Sequence, residues 1–441
     1  MEKKMEKETM DLLAHQGAPR AARLSSSGAV FIMLKSALGA GLLNFPWAFH
    51  KAGGVSAAIV VEMVSLVFLI SGLVILGHAS FISGQSTYQG VVREVCGRAI
   101  GWLCEVCFVF NLFMISVAFL VVVQDQLEKL GHSLYGTMTG FAEAEVPHHW
   151  YTDQRFALFL ICLLVIVPLS IPKEIRTQKY SSVLGTLAAT YLSAAVIVKY
   201  YTEGDHVVAI SPLYSSSINS WATVFSVIPT ICFGFQCHEA SVAIYSSMEN
   251  KTLSHWVLVS VVSMFFCLLI YSLTGIFGYL TFGKDVAADI LMSYPGDDIA
   301  MIIARLLFGI SIITIYPITL LLGRSVIQDL LLRCRWQCTL VTPLSESRSR
   351  MVLTLTWIAV TLLIAIFVPD ISEVISVIGG ISAFFIFIFP GLCLMFSTHS
   401  ESVSPRTRVA LTTWGVVTLL CGVFIFGQST TVAIMDILNK F

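Results

Sequence analysis

Two short stretches carry residue types that an apolar helix has no ordinary use for. The first is FIMLKSALGAGLLNFP, Phe31 to Pro46, where Gly39-Ala40-Gly41 interrupts a hydrophobic run and Lys35 sets an ammonium just ahead of it. The second, VFSVIPTICFGFQCHEASVAIY, holds Pro229, Gly234 and a polar patch from Gln236 to Glu239. Glycine and proline unwind a helix here, and in hydrocarbon each freed N–H or C=O is costly unless something satisfies it. N–H groups at the start of a helix near Gly41 suit a carboxylate. Freed carbonyls near Leu38 and Phe233 suit a cation or an α-ammonium. The glycines let a ligand approach the chain with no Cβ in the way. Gly39, Ala40, Gly41, Phe233 and Gly234 are therefore candidate binding positions for a zwitterion, and a small amino acid is the obvious one. The alternative is a pair of packing kinks.

The elements that must position these residues follow from composition. Of 441 residues, 56% are hydrophobic and 12% charged, against roughly 25% charged in soluble domains. Hydrophobic runs of about 20 residues recur along the chain, each long enough to cross a bilayer core. The expected fold is an all-α membrane protein of eleven transmembrane helices, near 28–50, 55–78, 101–123, 155–172, 181–200, 222–245, 256–282, 299–322, 351–368, 371–396 and 408–430. Counting basic residues sets the orientation. With the N-terminus cytosolic and the C-terminus extracellular, the inner segments hold eighteen of the 26 Lys and Arg and the outer segments six. The first 27 residues show no signal-peptide pattern, and residues 1–24 read as a disordered cytosolic tail.

The two interruptions fall five spans apart, in the first and sixth. Broken helices at matching places of two halves point to an inverted-repeat transporter with a site at the membrane midplane. The transporter domain is then 25–430, with repeat one about 28–200, repeat two about 222–396 and the eleventh helix about 408–430, followed by a short extracellular tail, 431–441.

Other polar residues within spans are weighed the same way. Glu62, Asn111, Ser116 and Arg305 are expected to face the bundle interior. Asn111 and Ser116 either line a cavity or bond another helix, and Arg305 is expected to snorkel to the outer surface. His238 follows the second break, and a titrating role there is open. Ser311 and Thr314, at i and i+3 on the eighth span, can bond back to their own helix or ligate a cation. Cys104 and Cys107 form a C-x-x-C inside an apolar helix, which suits packing better than redox chemistry. The outer loops contain no cysteine, so no extracellular disulfide is expected.

GAGLLNFPWAF, PTICFGFQCHEASVAIY, GYLTFG and YPITLLLGRSV resemble the sodium-coupled neutral amino acid transporters of the amino acid/auxin permease family, over roughly residues 25 to 430. The resemblance implies a LeuT-like five-plus-five inverted repeat plus one extra helix. It implies uptake of glutamine and other neutral L-amino acids, driven by inward sodium as co-substrate and inhibited at acid pH. It also implies a substrate site on the Gly39–Gly41 backbone and around Phe233 and Gly234, with a sodium site between Lys35 and Leu38 and the Ser311–Thr314 face. From the residues themselves, Gln236, Asn111 or Ser116 could hydrogen-bond a substrate's side-chain amide, and Asn111 is the candidate binding position.

Lys35 departs from the family, in which many members have asparagine. Either its ammonium snorkels to the cytosolic interface, or it lies near the cation site. Two unit charges about 4 Å apart repel by roughly 4 kcal/mol at an effective dielectric near 20, so a charged lysine and a sodium ion should not share one site. A proton-coupled or uncoupled transporter, with Lys35 replacing the ion, is thus the alternative to sodium symport. An amino acid sensor is a second one. An enzyme is not expected, since no paired acids, Ser-His arrangement or metal-ligand spacing occurs within a span. No cofactor or nucleic-acid partner is expected. The expected partners are the amino acid and the bilayer, with a monomer as the working unit. The plasma membrane is the expected location, with the lysosomal membrane as the alternative.

Overall fold

The computed structural model describes residues 24–139, 153–172, 178–202, 225, 227–335, 343–368, 371–400 and 404–438. Helix α1, Ser26–Ala37, starts at Ser25, whose side chain accepts from the Gly28 N–H. It stops where Leu38 and Gly39 turn extended, and a 3₁₀ segment, Ala40–Asn44, leads into α2, Phe45–Lys51. The two arms of this span are bent by 52°. Gly53 and Gly54, at φ 88° and 122°, make the left-handed corner that returns the chain into α3, Val55–Ser83. Other side chains resist that backbone.

Then come α4, Tyr88–Cys96, α5, Arg98–Thr139, α6, Gln154–Ser170, and α7, Gln178–Thr202. The second interruption separates α8, Ile228–Gly234, from α9, His238–Ser247, with Pro229 in the first turn of α8, where its missing N–H costs nothing. The chain continues through α10, Leu253–Phe282, a short α11, Ile290–Ser293, and α12, Ile299–Arg335. It ends with α13, Pro343–Phe367, α14 over 371–400, and α15, Pro405–Leu438.

Among the described residues, eight helices are long and apolar enough to cross a membrane, and the bent pair α1–α2 makes nine. Helix α14 is 83% buried over its apolar window, whereas α15 is 22% buried. So α14 lies at the centre and α15 on the rim, presenting Val409, Leu420 and Phe424 outward. Helix α10 packs on α1, α2, α3 and α7, and α12 packs on α5 and α7. Helix α8 rests on α14, and α9 on α3 and α1. The interrupted spans are therefore enclosed by intact ones. The long interval between α5 and α6, the start of the expected sixth span (222–224 and 226), the 369–370 boundary and Cys338 lie outside the described residues.

Arg305 corrects the snorkelling expectation. It is fully buried, and its Nη2 lies 2.9 Å from the Leu291 and Tyr294 carbonyls and 3.0 Å from that of Pro295. The loop ahead of α12 folds over this end of the bundle and encloses the side chain. Cys104 is buried and Cys107 half-buried, both as free thiols.

Candidate functional site

The two breaks meet. A Cβ built on Gly41 would lie 2.8 Å from Gly234 Cα, and one on Gly234 would lie 2.6 Å from Phe45 Cε2. Only glycine allows backbones so close. Gly39 differs: a Cβ there would find nothing nearer than the Ala37 carbonyl at 4.0 Å, beside extended backbone at φ −151°. One glycine closes the contact between the breaks, and the other faces open space. Ala40, Leu38 and Phe233 are buried around them. The turns on either side differ: Leu42 N–H donates to the Gly39 carbonyl at 3.1 Å, an ordinary bond, whereas Gln236 N–H reaches that of Phe233 only at 3.4 Å, a long one.

Tyr271 of α10 ties the two interruptions together. Its hydroxyl lies 2.8 Å from the Ala37 carbonyl and 2.8 Å from that of Gly234, the last residues of α1 and α8. One proton serves both, so neither helix end is fully satisfied. The ring is held by stacking on Phe45 at 4.2 Å and by an edge contact with Phe235 at 4.9 Å. The ring is packed among aromatic groups while its hydroxyl reaches the backbone.

On the far side of the second break, Asn111 of α5 donates from Nδ2 to Glu239 Oε1 at 2.7 Å. Ser382 of α14 donates to Gln236 Oε1 at 2.6 Å. Glu239 and Gln236 are partly accessible, although both lie within the bundle. Ser116 resolves as a helix-to-helix bond, accepting from Trp357 Nε1 at 3.1 Å. His238 is buried, with Nε2 3.0 Å from the Leu69 carbonyl.

The residues expected to make a cation site lie on α1, at its C-terminal end, and on α12. Ser311 faces Gly185 of α7, where an added Cβ would lie 3.3 Å from its Oγ. Thr314 turns its hydroxyl back to the Ser311 carbonyl at 2.8 Å. Lys35 is half-buried in the last turn of α1. It forms no ion pair or hydrogen bond with the described residues. Among the described residues, no group of three His, Cys, Asp or Glu could hold a metal ion.

A latch crosses one end of the bundle above the breaks. Asn44, at the end of the 3₁₀ segment, donates to the Ala288 carbonyl at 2.8 Å and accepts from Thr230 at 3.0 Å. Asp289 accepts from Gln126 Nε2 at 2.6 Å and from the Leu291 N–H at 2.8 Å. Burial pushes the Asp289 carboxyl up to about 7, outweighing those two hydrogen bonds and the nearby Arg305. Lys199 of α7 pairs with Asp298. At the opposite end, Leu24 N donates to the Ser247 carbonyl at 3.0 Å, and Glu249 N donates to that of Leu24 at 2.9 Å. Both ends of the interrupted spans are fastened.

Sequence reasoning missed Tyr271, Asn44, Thr230 and the pairing of Asn111 with Glu239. Asn44 stands next to the GAG break and carried the clearest signal, a buried amide in an apolar run.

An all-helical membrane bundle with two interrupted spans touching at glycines is a transporter architecture. Its fold is that of a solved protein, "Crystal structure of MhsT in complex with L-phenylalanine", with a TM-score of 0.59 at 14% identity, covering 93% of this chain and 100% of that one. Residues 23–435 match the family described as "Transmembrane amino acid transporter protein", and the chain belongs to that family. It is 63% identical to "Putative sodium-coupled neutral amino acid transporter 8" of Xenopus tropicalis, over 99% of both chains. It is 60% identical to "Solute carrier family 38 member 8" of Homo sapiens, over 95% of this chain and 96% of that one. The chain is a multi-pass membrane transporter rather than an enzyme.

Proposed function

We propose that this chain imports neutral L-amino acids, glutamine preferentially, by alternating access at the plasma membrane, with inward sodium as the driving ion. The observation that carries the reading is the junction of the breaks: Gly41 against Gly234, with the Tyr271 hydroxyl shared between the Ala37 and Gly234 carbonyls. Two helix ends with under-satisfied carbonyls, beside the open space at Gly39, offer an α-ammonium its acceptors. The N–H groups that begin the 3₁₀ segment offer the carboxylate its donors. The apolar lining of Leu38, Phe233 and Phe235 favours an uncharged side chain. The names of the relatives support sodium coupling and neutral cargo. Eleven spans, with the N-terminus cytosolic and the C-terminus extracellular, would bring both interruptions to the midplane.

Lys35 favours a second reading. An ammonium half-buried with no counter-charge among the described residues suits a lysine that stands in for the ion, and transport would then be proton-coupled or uncoupled. Glutamine uptake at fixed pH, with sodium replaced by choline, separates the two. Sodium symport predicts that uptake collapses in choline for the unmutated protein. Equal uptake in both salts, with sodium dependence gained only on Lys35→Asn, would establish replacement.

A further inference from the structure

Glu239 opens α9 immediately after the second break and bonds to Asn111 on α5. That partner is a neutral amide, which brings no charge to balance the carboxylate. Gln236 lies beside the same carboxylate, but its Nε2 has no hydrogen-bond partner, and its Oε1 is taken by Ser382. The titratable groups nearby are Tyr88 of α4, Cys104 of α5 and His238 of α9. Tyr88 donates to the Phe385 carbonyl at 3.0 Å, and His238 is engaged with Leu69. No lysine or arginine among the described residues pairs with Glu239.

A carboxylate in the middle of a membrane bundle demands a compensating charge. The positive end of a short helix supplies only part of one. A second observation points to the same place. Asn111 is fully buried, yet its Oδ1 has no partner. An unpaired amide oxygen beside a carboxylate is a hard-oxygen donor set, the chemistry that holds small alkali-type cations.

We propose that Glu239, positioned by Asn111, binds the monovalent cation, a sodium ion or a proton, that travels with the cargo. This rests on the transport reading and deepens it. With the cation bound, the site is neutral and can close around a zwitterion. Without it, closing buries a bare negative charge. Coupling then follows from electrostatics, and Lys35 need not share a site with the ion.

The test uses the full chain and begins with binding. In detergent, the melting midpoint is followed against sodium chloride at fixed pH, with choline chloride as control, and then against pH in choline alone. The unmutated protein is expected to gain stability with sodium if the cation is sodium, or on acidification if it is a proton. Glu239→Gln is expected to remove the sodium response or to raise the sodium required at least tenfold. In the pH series, run in an Asp289→Asn background to take out that carboxyl's own contribution, it is expected to remove the remaining acid response; Glu239→Asp is expected to keep a weaker one. Asn111→Ala, which leaves the carboxylate in place, is expected to weaken the response, and it decides the matter if Glu239→Gln does not fold. A wild-type response that survives unchanged in both variants, or no response to either cation in the unmutated protein, overturns the proposal. Glutamine counterflow in proteoliposomes tests transport separately. A cation response lost in Glu239→Gln, without counterflow in the unmutated protein, upholds the cation site and rejects the transport reading.

Discussion

At Gly41 a single methyl group has nowhere to go, because the obstructing atom is the Gly234 backbone rather than a movable side chain. Gly41→Ala should therefore push the two breaks apart, costing about 1–3 kcal/mol of stability and most of the transport. Gly39 has room for a Cβ. Gly39→Ala should keep the melting temperature within about a degree while raising the KM for glutamine at least tenfold, because it fills space the ligand needs. A matched loss of stability in both variants would mean that the breaks are packing kinks. Tyr271→Phe strips two helix-end carbonyls of their shared donor, and should destabilise by about 1–3 kcal/mol, read as a lowered melting midpoint. The glycines were legible because interrupted hydrophobic runs announce themselves. Tyr271 was not: it lies in an ordinary apolar helix, and only packing brings its hydroxyl to carbonyls 37 and 234 residues away in sequence.

The loop between α10 and α12 is held by side chains from several elements: Asn44, Gln126 and Arg305 directly, and Thr230 through Asn44. Thr230 belongs to one interrupted span and Asn44 to the other, so the latch is tied to the breaks and must loosen if they part. Arg305→Leu leaves three carbonyls without their donor and should lower the melting midpoint while releasing the loop to proteolysis. Asp289 adds a pH dependence. Its folded-state value of about 7 lies above the ordinary aspartate value of 3.8, so the folded protein holds this proton more tightly than the unfolded chain does. That contribution is fully present below pH 4 and is lost as pH rises through 7. Melting midpoints measured from pH 5 to 8 should fall through this term, and Asp289→Asn should flatten the decline. Arg305 shows why the sequence misled: distance along a helix indicated the surface, but whether a loop folds over that surface is a long-range fact that no local pattern encodes.

On the scale of the whole molecule, the hydrophobic runs placed most of the long described helices to within about three residues at their start, because burying backbone in lipid leaves a helix few alternatives, whereas α13 begins at Pro343, well ahead of the expected 351. Helix α5 was underestimated at its far end: the apolar stretch stops near residue 123, while the helix continues to Thr139. Its last turns leave the apolar window, so hydropathy could not follow them. An odd number of spans with a cytosolic N-terminus predicts that an N-terminal epitope requires permeabilised cells, whereas a C-terminal one is reached in intact cells; both tags on one side would contradict eleven spans. Closure at both ends, by the Asn44–Ala288 and Leu24–Ser247 bonds, fits a carrier whose gates alternate around the glycine junction. The most direct test is counterflow of labelled glutamine into proteoliposomes loaded with unlabelled glutamine, for the unmutated protein and Gly41→Ala. The account predicts transient accumulation of label by the unmutated protein and at least a tenfold lower rate for the variant. No accumulation by the unmutated protein, for glutamine or any other neutral amino acid, or an equal rate in Gly41→Ala, would contradict it.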